Sequence, residues 1–248
     1  MKNIVLILSC ALLSATGAAA RAESASHNKH VVELFTSQSC YSCPPAERLL
    51  GKLIESRTDV VALEFHVDYW NDLRYGSAGT WSDPFSDSHY SQRQRHYQAR
   101  GLDGNNGVYT PQAVVDGKTA LVGSNKRELD ELLMGRAPMA ADLALERGPG
   151  AMRVSVSEGA SGGPKGPAEV WLYKFDLRRV TDIGGGENSG KALTNHNIVR
   201  EMRRLGVWNG GSRAYSVKDL ELEDGQGCAV VVQGPGQGPV LGAELCPS

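Results

Sequence analysis

Two cysteines separated by two residues, Cys40 and Cys43, carry the clearest chemical signal in the chain. They follow the apolar run Val31–Thr36, and Pro44 and Pro45 come directly after them. A pair with this spacing can be a redox-active dithiol, part of a metal site or a static disulfide. The elements around the pair decide among the three.

The two prolines indicate that a helix starts directly after the cysteines. Proline is tolerated there because the first N–H groups of a helix have no intrahelical partner. The remaining unpaired N–H groups favour a thiolate over a thiol. We therefore expect Cys40 to be a solvent-accessible nucleophile with the N–H groups of Ser42 and Cys43 as its donors. Cys43 would then resolve a mixed disulfide within the same turn.

Apolar patterns flank this turn on both sides. Val31–Thr36 is typical of a buried strand, and helical spacing of apolar residues continues from Pro44 to Ile54. Val60–Val67 is a second, almost continuously apolar strand. Two such strands joined by a helix predict a βαβ unit, in which parallel strands are covered on both faces.

Further along, residues 68–107 form an aromatic and polar insertion with a helix expected over 86–100. An apolar strand then begins near Thr110-Pro111, and Asp116-Gly117 predicts a hairpin turn. A helix capped by Ser124 is expected to run through Leu133.

Beyond residue 138, short alternating segments are separated by Gly- and Pro-rich loops, a texture typical of a small antiparallel sandwich. Asn195–Leu205 fits either a helix or a strand. The predicted fold class is an α/β thioredoxin-like domain (βαβ plus hairpin and helix) followed by a smaller β-rich, sandwich-like domain. The expected division is a signal peptide over 1–22, the first domain over 30–137 and the β-rich domain over 138–248.

Three segments carry a resemblance to a known family: Val32–Gln38, Phe65–Trp70 and Tyr109–Gln112. They resemble a bacterial, secreted, thioredoxin-like family catalogued as a domain of unknown function. The resemblance implies the fold and redox chemistry at Cys40 and Cys43. It also implies a cis-proline at Pro111 that faces the dithiol, so that Pro111 and the Thr110 backbone position the partner chain. It supplies no substrate.

Three titratable residues are candidates for a proton shuttle to Cys43. His66 and Asp68 lie at the end of the second strand, and ligand chemistry in open α/β sheets gathers at the carboxyl ends of strands. Glu33 lies between apolar residues of the first strand and would be a buried carboxylate that tunes the pair. For each of the three, a purely structural role is the more common reading of such a residue.

Two further readings concern other ligands. Cys40, Cys43 and His66 together would suit soft copper(I), although the sequence offers no fourth ligand at a sensible spacing. The run 185–191 imitates a phosphate-binding loop, but Ala192 stands where Ser or Thr is required, so we interpret it as an ordinary loop. No cofactor is predicted beyond the redox-active disulfide itself.

Cys228 and Cys246 flank a predicted hairpin near the carboxyl end of the chain. If its turn centres on Gln237, the two cysteines lie directly opposite each other, and a structural cross-strand disulfide is expected.

The amino-terminal residues predict the compartment. A short positive leader, an apolar run from Ile4 to Leu13 and a small-residue tract are typical of a cleaved signal peptide. Four cysteines remain after cleavage, and an even number favours disulfides in an oxidising compartment. We expect a periplasmic or secreted protein without a membrane anchor in the mature chain. The formal net charge of −2 argues against nucleic-acid binding.

These patterns predict a thiol–disulfide oxidoreductase that acts on cysteines of other secreted or periplasmic proteins. The alternative is a copper carrier, or a non-catalytic binding protein on the same scaffold. Tyr41 and Ser42, between the two cysteines, give no direction of electron flow.

Overall fold

The computed structural model describes residues 29–102, 107–135, 139–148 and 151–247. Within these ranges the chain forms three α-helices, one short 3-10 turn and eleven strands. The helices are α1 (Pro44–Ser56), α2 (Ser88–Ala99) and α3 (Lys126–Met134), and the 3-10 turn is Gly76–Ala78. The strands are β1 (His30–Thr36), β2 (Val60–His66), β3 (Gln112–Val115), β4 (Thr119–Val122), β5 (Ala141–Gly148), β6 (Ala151–Glu158), β7 (Ala168–Asp182), β8 (Ala192–Trp208), β9 (Arg213–Lys218), β10 (Gln226–Gln233) and β11 (Val240–Leu245).

The first half of the chain builds the expected strand–helix–strand unit. β1 and β2 are parallel and in register from His30↔Val60 to Thr36↔His66, so their carboxyl ends lie at the same edge of the sheet. β3 pairs with β1 and β4 with β3, both antiparallel, which gives the predicted hairpin. The cap of α3 differs from the prediction: it is Asn125 rather than Ser124. The Asn125 side chain accepts a hydrogen bond from the N–H of Glu128 (3.4 Å).

The predicted fold class is wrong. Eight strands form one mixed sheet in the order β11-β10-β7-β8-β2-β1-β3-β4, so strands from the second half of the chain extend the sheet of the first half. The junction is a parallel pairing at Glu64↔Ile198, between β2 and β8. Only β5, β6 and β9 form a separate, antiparallel sheet. The architecture is therefore mostly β, with a parallel core, rather than a thioredoxin-like domain followed by an independent sandwich.

The ambiguous segment Asn195–Leu205 lies in strand β8. Its partner β7 runs antiparallel to it from Ala168↔Trp208 to Asp182↔Ala192, and two bulges in β8, at Arg200 and Leu205, shift the register. Each bulge adds a residue to one strand, which breaks the strict alternation that marks a strand in sequence.

Three apolar layers hold these elements together. α1 and α3 cover one face of β1–β4 with Leu50, Leu53 and Leu129, whereas α2 covers the opposite face with Tyr90 and Tyr97. The small sheet packs its own apolar face onto β7 and β10, where the layer contains the following buried residues: Met152, Val154, Val156, Val170, Leu172, Trp208, Val217, Val230 and Val232.

The predicted signal peptide, residues 1–22, and the predicted boundary at 137–138 lie outside the described residues. In the described part of the chain, no helix is both long and apolar enough to cross a membrane.

Candidate functional site

Cys40 and Cys43 form a disulfide in the turn between β1 and α1, with 5.4 Å between their Cα atoms. The N–H of Cys43 donates to the carbonyl of Cys40 (3.2 Å), so one of the two backbone donors expected for a Cys40 thiolate is engaged in the turn itself. The hydroxyl of Ser42 lies 3.4 Å from the Cys40 sulfur. α1 begins at Pro44, as the proline pair predicts.

The expected exposure of Cys40 is wrong, because both cysteines are 0% exposed. The loop between β7 and β8, residues 183–191, covers the turn, and we call it the strap loop. Its Asn188 side chain is fully buried and donates to the carbonyls of Gln38 (2.9 Å) and Cys40 (2.8 Å). This loop is the segment that resembles a phosphate-binding motif in sequence, and in the structure it packs onto the disulfide turn.

Four buried titratable groups lie on the α1 side of the sheet, at the carboxyl ends of β1 and β2. They are Glu47, Glu64, His66 and Asp83, and none is more than 3% exposed. His66 Nδ1 lies 2.8 Å from Asp83, and His66 Nε2 lies 3.4 Å from Glu64. Both ring nitrogens of His66 are therefore occupied by carboxylates.

Asp83 connects this cluster to the disulfide turn. The carboxylate of Asp83 that contacts His66 also accepts the backbone N–H of Gln38 (2.8 Å), two residues before Cys40. The Gln38 side chain in turn donates to Asn195 on β8 (3.1 Å) and accepts from the Trp81 indole (3.2 Å). Hydrogen bonds with Asp83, Asn195 and Trp81 thus fix Gln38 at the start of the turn.

The cluster carries both signs of charge. Burial alone would lower the pKa of His66, but the carboxylates of Asp83 and Glu64 outweigh it and raise that pKa to about 10. Burial acts to raise the pKa of Asp83, yet the imidazolium of His66 overcomes it and holds that pKa below its usual value. At neutral pH, His66 is therefore a cation and Asp83 an anion.

Glu47 is the member of the cluster nearest to the cysteines along the chain. It lies four residues after Cys43, and its N–H donates to the Cys43 carbonyl (3.2 Å), so the two side chains share one face of α1. Thr36 donates its hydroxyl to Glu47 (2.7 Å). Burial, reinforced by the negative charge of Glu64, raises the pKa of Glu47 to about 8. Burial also raises the pKa of Glu64.

The candidate residues predicted from the sequence do not include Glu47, Glu64 and Asp83. One signal was available for Glu47: with Leu50 and Leu53 at the next helical positions, it lies within the apolar stripe of α1. Asp83 follows Trp81 in an irregular segment, and nothing in its neighbourhood marks it as a partner of His66.

The structure places the other proton-shuttle candidates apart from this cluster. Glu33 points to the α2 side of β1, because successive residues of a strand face opposite ways. There it pairs with the buried Arg93, whose guanidinium lies over the rings of Phe65, Tyr97 and Tyr173. Asp68 accepts the hydroxyl of Ser91 in α2 (2.5 Å).

Thr110 and Pro111 precede β3 and are joined by a cis peptide bond. Pro111 borders Gly123 together with Ala46 of α1, which places it beside the helix that follows the cysteines. The Thr110 hydroxyl oxygen is buried and has no hydrogen-bond partner.

The copper alternative has no matching geometry among the residues that the structure describes. Within them, no three His, Cys, Asp or Glu side chains are grouped so as to hold a metal ion. His66 is already bound on both nitrogens, and the two cysteines are bonded to each other.

Cys228 and Cys246 form a second disulfide, with 5.2 Å between their Cα atoms. The strands pair at Ala229↔Leu245, which is the register that a turn centred on Gln237 requires, and a bulge at Val232/Gln233 shifts it near the turn. Both disulfides are compatible with a secreted protein.

Fold and site together define a mostly β protein with a mixed sheet and a covered disulfide at the start of a helix. The family model described as a protein of unknown function (DUF1223) matches residues 31–233, and the chain belongs to this family. A similar solved structure is the X-ray structure of a protein from Agrobacterium tumefaciens. It is 29% identical, with 88% of this chain and 94% of that chain covered and a TM-score of 0.71. No curated protein matches the chain.

Proposed function

We propose that this protein is a thiol–disulfide oxidoreductase that acts on cysteines of other proteins in the bacterial periplasm or outside the cell. The observation that carries the proposal is the Cys40–Cys43 disulfide at a helix start, with the buried carboxyl group of Glu47 one helical turn beyond Cys43. A static disulfide has no use for a titratable group on the same helix face, whereas exchange is accelerated by one that takes and returns a proton.

In one direction, the proposed reaction reduces a disulfide of a partner protein. The Cys40 thiolate attacks one sulfur of the partner's disulfide, that S–S bond breaks, and the other partner sulfur leaves as a thiolate. Glu47 is ionised in a minority of molecules at neutral pH, and in that form its carboxylate takes the proton of Cys43, which then attacks the Cys40 sulfur. The partner's remaining sulfur leaves as a thiolate, which regenerates the Cys40–Cys43 bond. Two electrons have then passed to the partner, and the reverse sequence oxidises a partner dithiol.

The surrounding cluster supports the proton transfer. A carboxyl group with a pKa of about 8 exchanges its proton readily near neutral pH. The His66–Asp83 pair fixes a positive and a negative charge beneath the turn and anchors the N–H of Gln38. The cluster thus stabilises the conformation of the turn and influences the pKa of Glu47.

The compartment is part of the same proposal. Two disulfides and the predicted leader over residues 1–22 are consistent with an oxidising environment outside the cytoplasm.

The test compares wild type with Cys40→Ser in insulin reduction and in disulfide formation on a reduced model protein. Wild type should accelerate at least one of the two reactions, and Cys40→Ser should accelerate neither. Cys43→Ser should accumulate mixed disulfides on partner proteins in a periplasmic extract. The matched control is the Cys228→Ala/Cys246→Ala double variant, which removes the other disulfide and should keep the wild-type rate. Equal rates for wild type and Cys40→Ser would refute the proposal.

A further inference from the structure

The strap loop makes its contacts with the main chain of the disulfide turn. The buried Asn188 amide donates to the carbonyls of Gln38 (2.9 Å) and Cys40 (2.8 Å). The N–H of Glu187 donates to the carbonyl of Ser39 (3.3 Å). These contacts involve carbonyls of three successive residues of the turn, whatever their side chains.

A fourth hydrogen bond joins the strap loop to Tyr41, the next residue of the turn. The carboxylate of Glu187 accepts the N–H of Tyr41 (2.7 Å), so every residue from 38 to 41 gives one main-chain group to the strap loop. Lys191 places its ammonium group 4.7 Å from the centre of the Tyr41 ring and also binds the Asn188 side-chain oxygen (2.8 Å). A bound polypeptide would use main-chain groups in the same way.

The strap loop is also held from behind. Gly185 passes so close to the backbone of Thr80 that a Cβ there would lie 2.1 Å from the Thr80 oxygen. Its neck is closed by hydrogen bonds from Ile183 to Lys191 (2.9 Å) and from Gly190 to Ile183 (2.8 Å). The cover is therefore a built element, and in this state the cysteines beneath it are 0% exposed.

We propose that the strap loop is an autoinhibitory cover that keeps free thiols away from the Cys40–Cys43 disulfide. It occupies the main-chain groups of residues 38–41, which a partner's polypeptide takes over when it displaces the loop. This inference rests on the proposed function for the identity of the partner, a protein chain rather than a small thiol. Protection of the disulfide by the strap loop does not depend on that function and can be measured on the oxidised protein without a partner.

The test measures reduction of the intact protein by dithiothreitol, without any partner. One dithiothreitol thiolate attacks the Cys40–Cys43 bond, and its second thiol closes the oxidised ring, so two electrons leave dithiothreitol and two protein thiols form. Alkylation at timed intervals followed by peptide mass spectrometry gives separate rates for Cys40–Cys43 and for Cys228–Cys246. The second disulfide is an internal control for global unfolding.

Asn188→Ala removes two hydrogen bonds of the cover and should speed reduction of Cys40–Cys43 by roughly 5- to 100-fold, because reduction follows the population of the open loop. Glu187→Ala alters an exposed side chain, carries little risk for folding, and should give an increase of about 2- to 10-fold. Ser189→Ala, an exposed position of the same loop, is the matched control and should leave the rate unchanged.

Unchanged Cys40–Cys43 rates in both variants would overturn the proposal. Equal acceleration of both disulfides would also overturn it, because the variants would then act through global unfolding. The result is independent of the insulin assay. If the protein is inactive in the insulin assay but Asn188→Ala speeds reduction of Cys40–Cys43, the strap loop is a cover and the proposed oxidoreductase function is wrong. If the protein is active but the reduction rates are unchanged, the function stands and the cover is wrong.

Discussion

Glu47→Gln should make the protein more stable at alkaline pH, although it changes a buried residue beside the disulfide. The pKa of Glu47 is about 8 in the folded protein, against 4.5 for an ordinary glutamate, because burial and Glu64 disfavour its charged form. Between these two values the unfolded chain ionises while the folded protein keeps its proton. The folded state therefore loses stability as pH rises from 4.5 to about 8.

The magnitude follows from that interval. Each pH unit within it costs about 1.4 kcal/mol for one proton, so the full loss is at most about 5 kcal/mol. Glutamine stays neutral and keeps an oxygen that can accept the Thr36 hydroxyl. The variant should match wild type near pH 4.5 and exceed it by a few kcal/mol at pH 8.5.

Urea unfolding at pH 5, 7 and 8.5, with both disulfides intact, measures this difference. Glu55→Gln is the matched control, since it removes the same charge from an exposed position of the same helix. Its difference from wild type should stay within about 0.5 kcal/mol at each pH. A raised pKa of Glu47 would be contradicted by a Glu47→Gln difference that does not grow with pH, or by a variant that is the less stable protein at pH 8.5.

Three other perturbations test the scaffold by urea unfolding. Arg93→Met leaves the buried Glu33 without its partner and should lower the free energy of unfolding by about 3–5 kcal/mol. The control Lys126→Met, which breaks an exposed ion pair with Asp130, should lower it by less than about 1 kcal/mol. Similar losses for the two variants would contradict the buried pairing. Gly185→Ala should cost about 1–3 kcal/mol because its Cβ meets the Thr80 oxygen, and Gly135→Ala, with open space around it, should be nearly neutral; a neutral Gly185→Ala would argue against the close approach. The Cys228→Ala/Cys246→Ala variant should lose about 3 kcal/mol, on the order expected for a loop of 18 residues, and unchanged stability would show that the bond constrains little.

Local patterns in the sequence were sufficient for the elements around the disulfide turn. The apolar runs of β1 and β2, the proline pair before α1 and the Asp116-Gly117 turn each act over a few residues, and the structure has these elements at the expected positions. The family resemblance was likewise carried by short segments, and the family match covers residues 31–233.

The wrong fold class has a non-local cause. Nothing near Val60–His66 shows that its free edge is completed by a strand more than a hundred residues later. Ile198, Val199 and Met202 are spaced as on a helix, yet they lie in β8 because pairing with β7 along its whole length outweighs the local pattern.

Non-local contacts also explain why the sequence predicts only some residues of the candidate site. Cys40, Cys43 and His66 lie at ends of elements, where a sequence pattern draws attention to them. Asn188 and Asp83 lie in irregular segments, and their importance depends entirely on what the folded chain brings to them. Asn188, which binds the Cys40 carbonyl, lies 148 residues further along the chain, so the turn alone does not predict the burial of Cys40.

The position of the strap loop in the chain sets an order of events during synthesis. Asn188 follows Cys40 by 148 residues, so a nascent chain that has emerged only as far as β6 exposes both cysteines of the turn. An enzyme that forms the first disulfide has access during that interval and loses it when the β7–β8 hairpin docks. Because the β7–β8 hairpin is synthesised after the turn, Cys40 and Cys43 are accessible to other thiols and disulfides until the sheet is complete.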